Sequence, residues 1–190
     1  GPVIDPRLDP TGLLIAYASA GAVRVIGVDG ADDRALVEPE TPTQVWGQAE
    51  FIAAEEMDRH RGFWWSPDGG SLLVERYDEK DVPVWHIADP ANPDRPSAQQ
   101  RYPAAGTSNA DVTLWHVGLD GSRTEIVWDR KTFEYLARVS WTEYGAPVLQ
   151  VLSRDQRRSL LLSVDVASGT TSPLACLLYT SDAADERSSV

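Results

Sequence analysis

Repetition of one short unit most constrains the fold of this chain. Leu8 to Tyr17 reads LDPTGLLIAY, and Trp65 to Tyr77 reads WSPDGGSLLVERY. Each has an apolar residue, a polar-proline turn, a glycine and then a strand-like apolar run. VSWTEYGAPVLQVLSRD, from Val139 to Asp155, echoes the order aromatic, turn, strand. Units that recur every few tens of residues are the mark of stacked blades. Period-2 runs bounded by turn residues extend the pattern: Leu13 to Ala18, Ala22 to Val28 closing at Asp29-Gly30, Leu72 to Tyr77, Val82 to Ala88, and a pair around Asp120-Gly121. Three more short strands are separated near Tyr144-Gly145 and Ser153 to Arg157. The expected fold is therefore all-β, a partial β-propeller. A blade takes about 40–45 residues, so the 190 residues hold about three to four blades. Such an arc cannot close, its end strands lack partners, and the chain is expected to be a piece of a larger protein.

One segment breaks the strand pattern. Across Gln48 to Arg61, Ala49, Ile52 and Ala53, with Phe51, Ala54 and Met57, fall at helical spacing, which predicts a short inserted helix. Ala91 to Val112, rich in proline, glycine and serine, reads as a crossing loop.

Composition excludes several classes. The net charge of -12 disfavours nucleic acid and anionic membrane surfaces, which need a basic patch. No apolar run approaches the ~20 residues of a membrane span. Cys176 is the sole cysteine, so no intrachain disulfide or cysteine-rich metal site forms. A reducing compartment such as the cytoplasm fits that usage. His60, His86 and His116 do not lie at metal-ligand spacing, and no glycine-rich phosphate loop occurs. Neither metal nor cofactor is expected.

The end of the chain departs from what precedes it. CLLYTSDAADE, Cys176 to Glu186, back-translates to a string resembling a transposase adapter used in sequencing libraries. The expected organisation is a partial propeller domain over 1–175 and a non-native tail over 176–190.

Among the candidate functional residues, Glu55 and Glu56 come first. Adjacent helical residues point about 100° apart, so the two carboxylates meet one target only at a helix end or on a short, irregular helix. If they converge in a cleft, a primary ammonium is the natural guest, since it offers three donors to groups that only accept. Each charge-assisted bond contributes roughly 1.5–3 kcal/mol. The competing reading is a solvated face, with Glu55 paired to Arg59 and Glu56 near His60, both at i,i+4. Trp64 and Trp65 read as a strand start that sends one ring into the core and the next to the opposite side. GTSNA, Gly106 to Ala110, is one residue short of a nucleophile elbow, but lacks the preceding strand and following helix. Ser108 is therefore not expected to be a nucleophile, and no catalytic residue is expected in this chain.

WGQAEFIAAEEMDRHRGFWWSPDG, Trp46 to Gly69, resembles the N-terminal propeller of dipeptidyl peptidase IV, in the prolyl oligopeptidase family. DVPVWHIADP and then RYPAAGTSNADVTLWHV, Arg101 to Val117, follow in the same order, with a Tyr-Pro-x-x-Gly-x-x-Asn element at Tyr102, Pro103, Gly106 and Asn109. The resemblance covers Val3 to about Pro173. It implies that Glu55 and Glu56 grip the free α-amine of a peptide, acting as a ruler that places the second peptide bond at a nucleophile. The parent enzyme would be a serine dipeptidyl peptidase removing dipeptides with proline or alanine in second position. Its Ser-Asp-His triad would belong to an α/β-hydrolase domain beyond this chain, and a substrate-binding arginine to sequence before Gly1. The full-length enzyme is expected to be a homodimer. Two alternatives stand beside this: a non-catalytic propeller that binds protein partners, and a tripeptidyl or acylaminoacyl peptidase on the same fold. The acyl-specific case fits poorly, because a blocked amine has no use for two carboxylates.

Overall fold

A computed structural model describes residues 1–92 and 94–178. Strands β1 (Ile4–Leu8), β2 (Leu14–Ser19), β3 (Ala22–Gly27) and β4 (Arg34–Val37) form an antiparallel meander. The polar-proline turn works through Asp9, whose carboxylate accepts from the backbone N–H groups of Thr11, Leu13 and Leu14 at 2.7–2.9 Å. An aspartate at the head of a turn satisfies donors that the strands cannot.

The next stretch contains β5 (Gln44–Trp46), helix α1 (Phe51–Met57), β6 (Phe63–Trp65) and β7 (Ser71–Asp78). β5 pairs with Arg76 to Asp78 and β6 with Leu72 to Val74, both along the same side of β7. They are two halves of one broken strand. The chain leaves the sheet after Trp46, makes α1, and rejoins the same strand line at Phe63. After β7 a hairpin of β8 (Val84–Ile87) and β9 (Ala98–Arg101) projects from the sheet. The chain then returns as β10 (Asp111–Gly118) and β11 (Arg123–Ile126), giving the order β11-β10-β7-β5. The third sheet is the meander β12 (Tyr135–Ser140), β13 (Val148–Leu152), β14 (Arg158–Val164), β15 (Thr171–Leu178).

The middle sheet is covered on both faces. One face packs Trp65, Leu72 and Val74 against Ala16, Val23 and Val25 of the first sheet. The other packs Trp64, Leu73 and Leu114 against Leu136, Leu149 and Val151 of the third. This layering of separate sheets, each buried against its neighbour, is the arc of blades that the repeats predict.

Some expectations are refined. The helix is shorter than Gln48 to Arg61 and occupies Phe51–Met57 alone. The strand expected at Val82 to Ala88 forms as β8, but pairs with β9, inside the stretch expected to be loop. Of the tail 176–190, residues Cys176 to Leu178 continue β15 against β14; residues 179–190 lie outside the described residues.

Candidate functional site

Helix α1 has only seven residues, and its ends are built by side chains. Glu50 is the N-cap: its carboxylate accepts from the N–H groups of Ile52 and Ala53, both at 2.7 Å. Asp58 stops the helix in a left-handed conformation, φ 50°, which aspartate tolerates better than most residues. Ile52, Ala53 and Met57 are buried, and Ile52 and Met57 pack against Tyr135 and Ala137 of β12. That contact turns Glu55 and Glu56 outward, and both are exposed.

The pairings that would make this acidic doublet an ordinary solvated face are absent. The i,i+4 rule needs the helix to continue, but it ends at Met57. Arg59 instead turns inward, with 4% of its side chain exposed, and lies 2.5 Å from the fully buried Glu75 carboxylate. His60 lies nearest Asp58, at 3.7 Å. Among the described residues neither Glu55 nor Glu56 takes part in an ion pair. Glu56 accepts a hydrogen bond from Gln156 Nε2, in the β13–β14 turn. The doublet is thus two exposed acidic residues, consecutive in sequence near a helix end, with Glu56 already reaching the neighbouring blade.

The Tyr-Pro-x-x-Gly-x-x-Asn loop lies alongside. Tyr102 stands edge-on to Phe51, the first residue of α1, with ring centroids 5.2 Å apart, and Trp85 stands edge-on to Tyr102 at 5.1 Å. Asn109 Nδ2 donates to the Tyr135 hydroxyl at 3.0 Å and to Glu134 Oε1 at 3.1 Å. Burial raises the Tyr135 pKa, and the negative charges of Glu134 and Glu56 add to that rise. Loop, helix and third sheet therefore meet around one acidic edge.

Buried acids support the helix from beneath. Burial raises Glu50, against the opposing pull of its two backbone hydrogen bonds and the Arg59 charge. Burial pushes Glu75 up to about 7, with Arg59 drawing it back down. Sequence reasoning missed the roles of Glu50, Arg59 and Glu75. The available signal was Glu75 itself, a charge in the middle of the apolar run of β7. Ser108 lies in the irregular loop before β10, not on a strand-to-helix elbow. Trp64 and Trp65 both bury their rings, in different layers. His116, half-buried, stands edge-on to Trp141 at 6.0 Å, and burial lowers its pKa. Among the described residues no cluster of His, Cys, Asp and Glu could hold a metal ion, and no helix is long and apolar enough to cross a membrane.

Blade-like antiparallel sheets, with an acidic helix between two halves of a broken strand, define a propeller segment. The chain belongs to the dipeptidyl peptidase IV N-terminal region family, whose model matches residues 1–185. It is 28% identical over 186 residues to dipeptidyl peptidase 8 of Homo sapiens, an alignment covering 82% of this chain and 21% of that protein. It is 31% identical over 133 residues to inactive dipeptidyl peptidase 10 of Rattus norvegicus, covering 66% of this chain and 17% of that one. In fold it superposes on the crystal structure of Porphyromonas gingivalis dipeptidyl peptidase 4 with a TM-score of 0.84, at 19% identity, covering 95% of this chain and 26% of that chain. The chain thus spans about a sixth to a quarter of the length of these relatives.

Proposed function

We propose that this chain is the amine-recognition part of a serine dipeptidyl peptidase, with Glu55 and Glu56 binding the free α-ammonium of a peptide substrate. The observation that carries this reading is that both residues of the doublet are exposed and neither takes part in an ion pair among the described residues, while Arg59, the nearest arginine in sequence, is turned inward to Glu75. An ammonium supplies one positive charge and three donors, and the carboxylates supply only acceptors. A blocked amine loses both the charge and most of the donors. Fixing the amine sets the distance to the scissile bond, so release of dipeptides follows from positioning. The substrate class is Xaa-Pro and Xaa-Ala N-termini. The nucleophile, acid and histidine belong to a partner α/β-hydrolase domain in the same full-length protein, and that protein is a homodimer. Native sequence gives way to a non-native tail near Ala175, within a propeller domain that is only partial over 1–175, a point that reading the source DNA tests directly.

The experiment is substitution in the full-length enzyme. Glu55→Gln and Glu56→Gln each remove one charge-assisted bond of roughly 1.5–3 kcal/mol, equivalent to about a tenfold to hundredfold loss in kcat/KM on H-Xaa-Pro substrates. Unchanged kcat/KM in both variants overturns the assignment. A second reading, a non-catalytic interaction propeller, is favoured by one observation: a relative at 31% identity is named an inactive dipeptidyl peptidase. A G-x-S-x-G elbow followed by Asp and His in the downstream coding sequence supports the peptidase reading, and its absence supports the second.

A further inference from the structure

Glu75 is the fixed point of the excursion that carries α1. Its backbone N–H donates to Gly62 O and its carbonyl accepts from the Gly47 N–H, both at 2.8 Å. Its Oε1 accepts from the Glu50 N–H at 3.3 Å, and its Oε2 lies 2.5 Å from Arg59 Nη1. The residue before the helix and the second residue beyond it therefore close on one side chain. Arg59 extends the linkage outward. Its Nε and Nη2 donate to the Leu136 carbonyl on β12 at 3.1 and 2.8 Å, and its Nη1 donates to Arg61 O at 2.8 Å. The pair thus ties α1 to the middle sheet through Glu75 and to the third sheet through Leu136.

Stability alone gives little reason for such an arrangement. A buried ion pair is commonly no better than apolar residues of the same volume. A seven-residue helix is marginal by itself, and its apolar contact with Tyr135 and Ala137 is small. Its caps, Ile52 and Met57 against β12 and Phe51 against Tyr102 share the work of fixing its rotation, and one residue of rotation turns a side chain by about 100°. We propose that Arg59 and Glu75 are a positioning pair that sets the rotation and height of α1 so that Glu55 and Glu56 bear on a single ammonium. This rests on the reading of the doublet as an amine clamp. The pair touches no substrate atom and acts through the helix.

The test uses the full-length enzyme at pH 8 on H-Xaa-Pro-anilides, below the melting temperature of each variant. Arg59→Lys keeps the charge and loses the planar fork that reaches Glu75 and Leu136 together. Glu75→Gln keeps the size and the acceptor for Glu50. Each should raise KM about tenfold or more, with kcat changed far less, because a displaced clamp weakens amine binding. On a Glu55→Gln/Glu56→Gln background neither should cause further loss, since the clamp it positions is already gone. If Arg59→Lys does not fold, Glu75→Gln carries the same readouts. A KM unchanged by Arg59→Lys and Glu75→Gln, while Glu55→Gln raises it, overturns the positioning role and leaves the clamp standing. Losses that add fully on the clamp-less background also overturn it, since they mark a merely structural pair. No effect of Glu55→Gln or Glu56→Gln overturns the clamp, and the positioning role with it.

Discussion

Trp64 and Trp65 are adjacent in β6, yet their rings belong to different cores. Trp64 joins the layer between the second and third sheets, and Trp65 the layer between the first and second. Strand alternation sends them to opposite faces, and both faces are covered because the sheet lies between two others. Trp65 Nε1 also donates to Arg7 O on β1 at 3.1 Å. Replacing either by alanine should destabilise the propeller by about 3–5 kcal/mol. Local hydrogen exchange should tell them apart: Trp64→Ala should speed exchange in β12 and β13, and Trp65→Ala in β2 and β3.

Gly169 welds the second sheet to the third. It has φ +75°, and a Cβ there would lie 2.0 Å from the Glu125 carbonyl oxygen. Its own carbonyl accepts from the Val127 N–H at 2.8 Å. Gly169→Ala meets a backbone atom that cannot swing aside, and adds the cost of a left-handed conformation, about 1–2 kcal/mol. The expected result is a loss above about 2 kcal/mol in equilibrium unfolding. Gly121→Ala, also left-handed but with open space around its Cβ, should lose only the conformational part.

The pH dependence of stability should carry opposite contributions from two buried carboxylates. Glu75 is surrounded by Arg59, Glu50 and the nearby Tyr77, and burial raises it from 4.5 to about 7. Its folded pKa exceeds its unfolded one, so its contribution is full below about 4.5 and is lost as pH rises through about 7. Asp9 has the other sign. Burial raises it, but Thr11, Leu14 and Leu13 together lower it below 3.8. Its contribution is present above 3.8 and is lost as the solution is acidified below that value. Unfolding measured from pH 3 to 8 should show Glu75→Gln flattening the limb between 4.5 and 7, and Asp9→Asn flattening the acid limb.

The Asn109 amide holds the loop before β10 against the third sheet through Tyr135 and Glu134. Asn109→Ala removes both bonds, each worth about 1 kcal/mol net, and leaves β10 itself intact. Limited proteolysis should then cut between Tyr102 and Ala110 several times faster, with no new cuts in β10 or β12.

What could be read from the sequence was whatever repeats or alternates. The unit shared by Leu8 to Tyr17 and Trp65 to Tyr77 marks β2 and β7, because each strand is an apolar run that follows a capped turn. The opposed rings of Trp64 and Trp65 follow from strand alternation. Other elements had no such signal. β5 and β6 have three residues each, too few for a period, and are strands only because β7 pairs with both. β9 reads Ala-Gln-Gln-Arg and is defined by its partner β8. The ends of α1 were obscured by chemistry: glutamate is an uncommon N-cap, and Asp58 stops the helix before Arg59 can reach Glu55. Glu55 and Glu56 were visible as a doublet, but their lack of an ion pair was not, since it depends on where Arg59 goes.

The broken strand has a further consequence. Because the chain departs at Trp46 and returns at Phe63 along one line of β7, the register on either side does not depend on what lies between. The excursion behaves as a lariat tied off at Glu75. Its length and contents can change without moving a single rung of the ladder. A rigid propeller can therefore carry a recognition element that is replaceable as a unit, with the fold and the specificity it displays free to diverge separately.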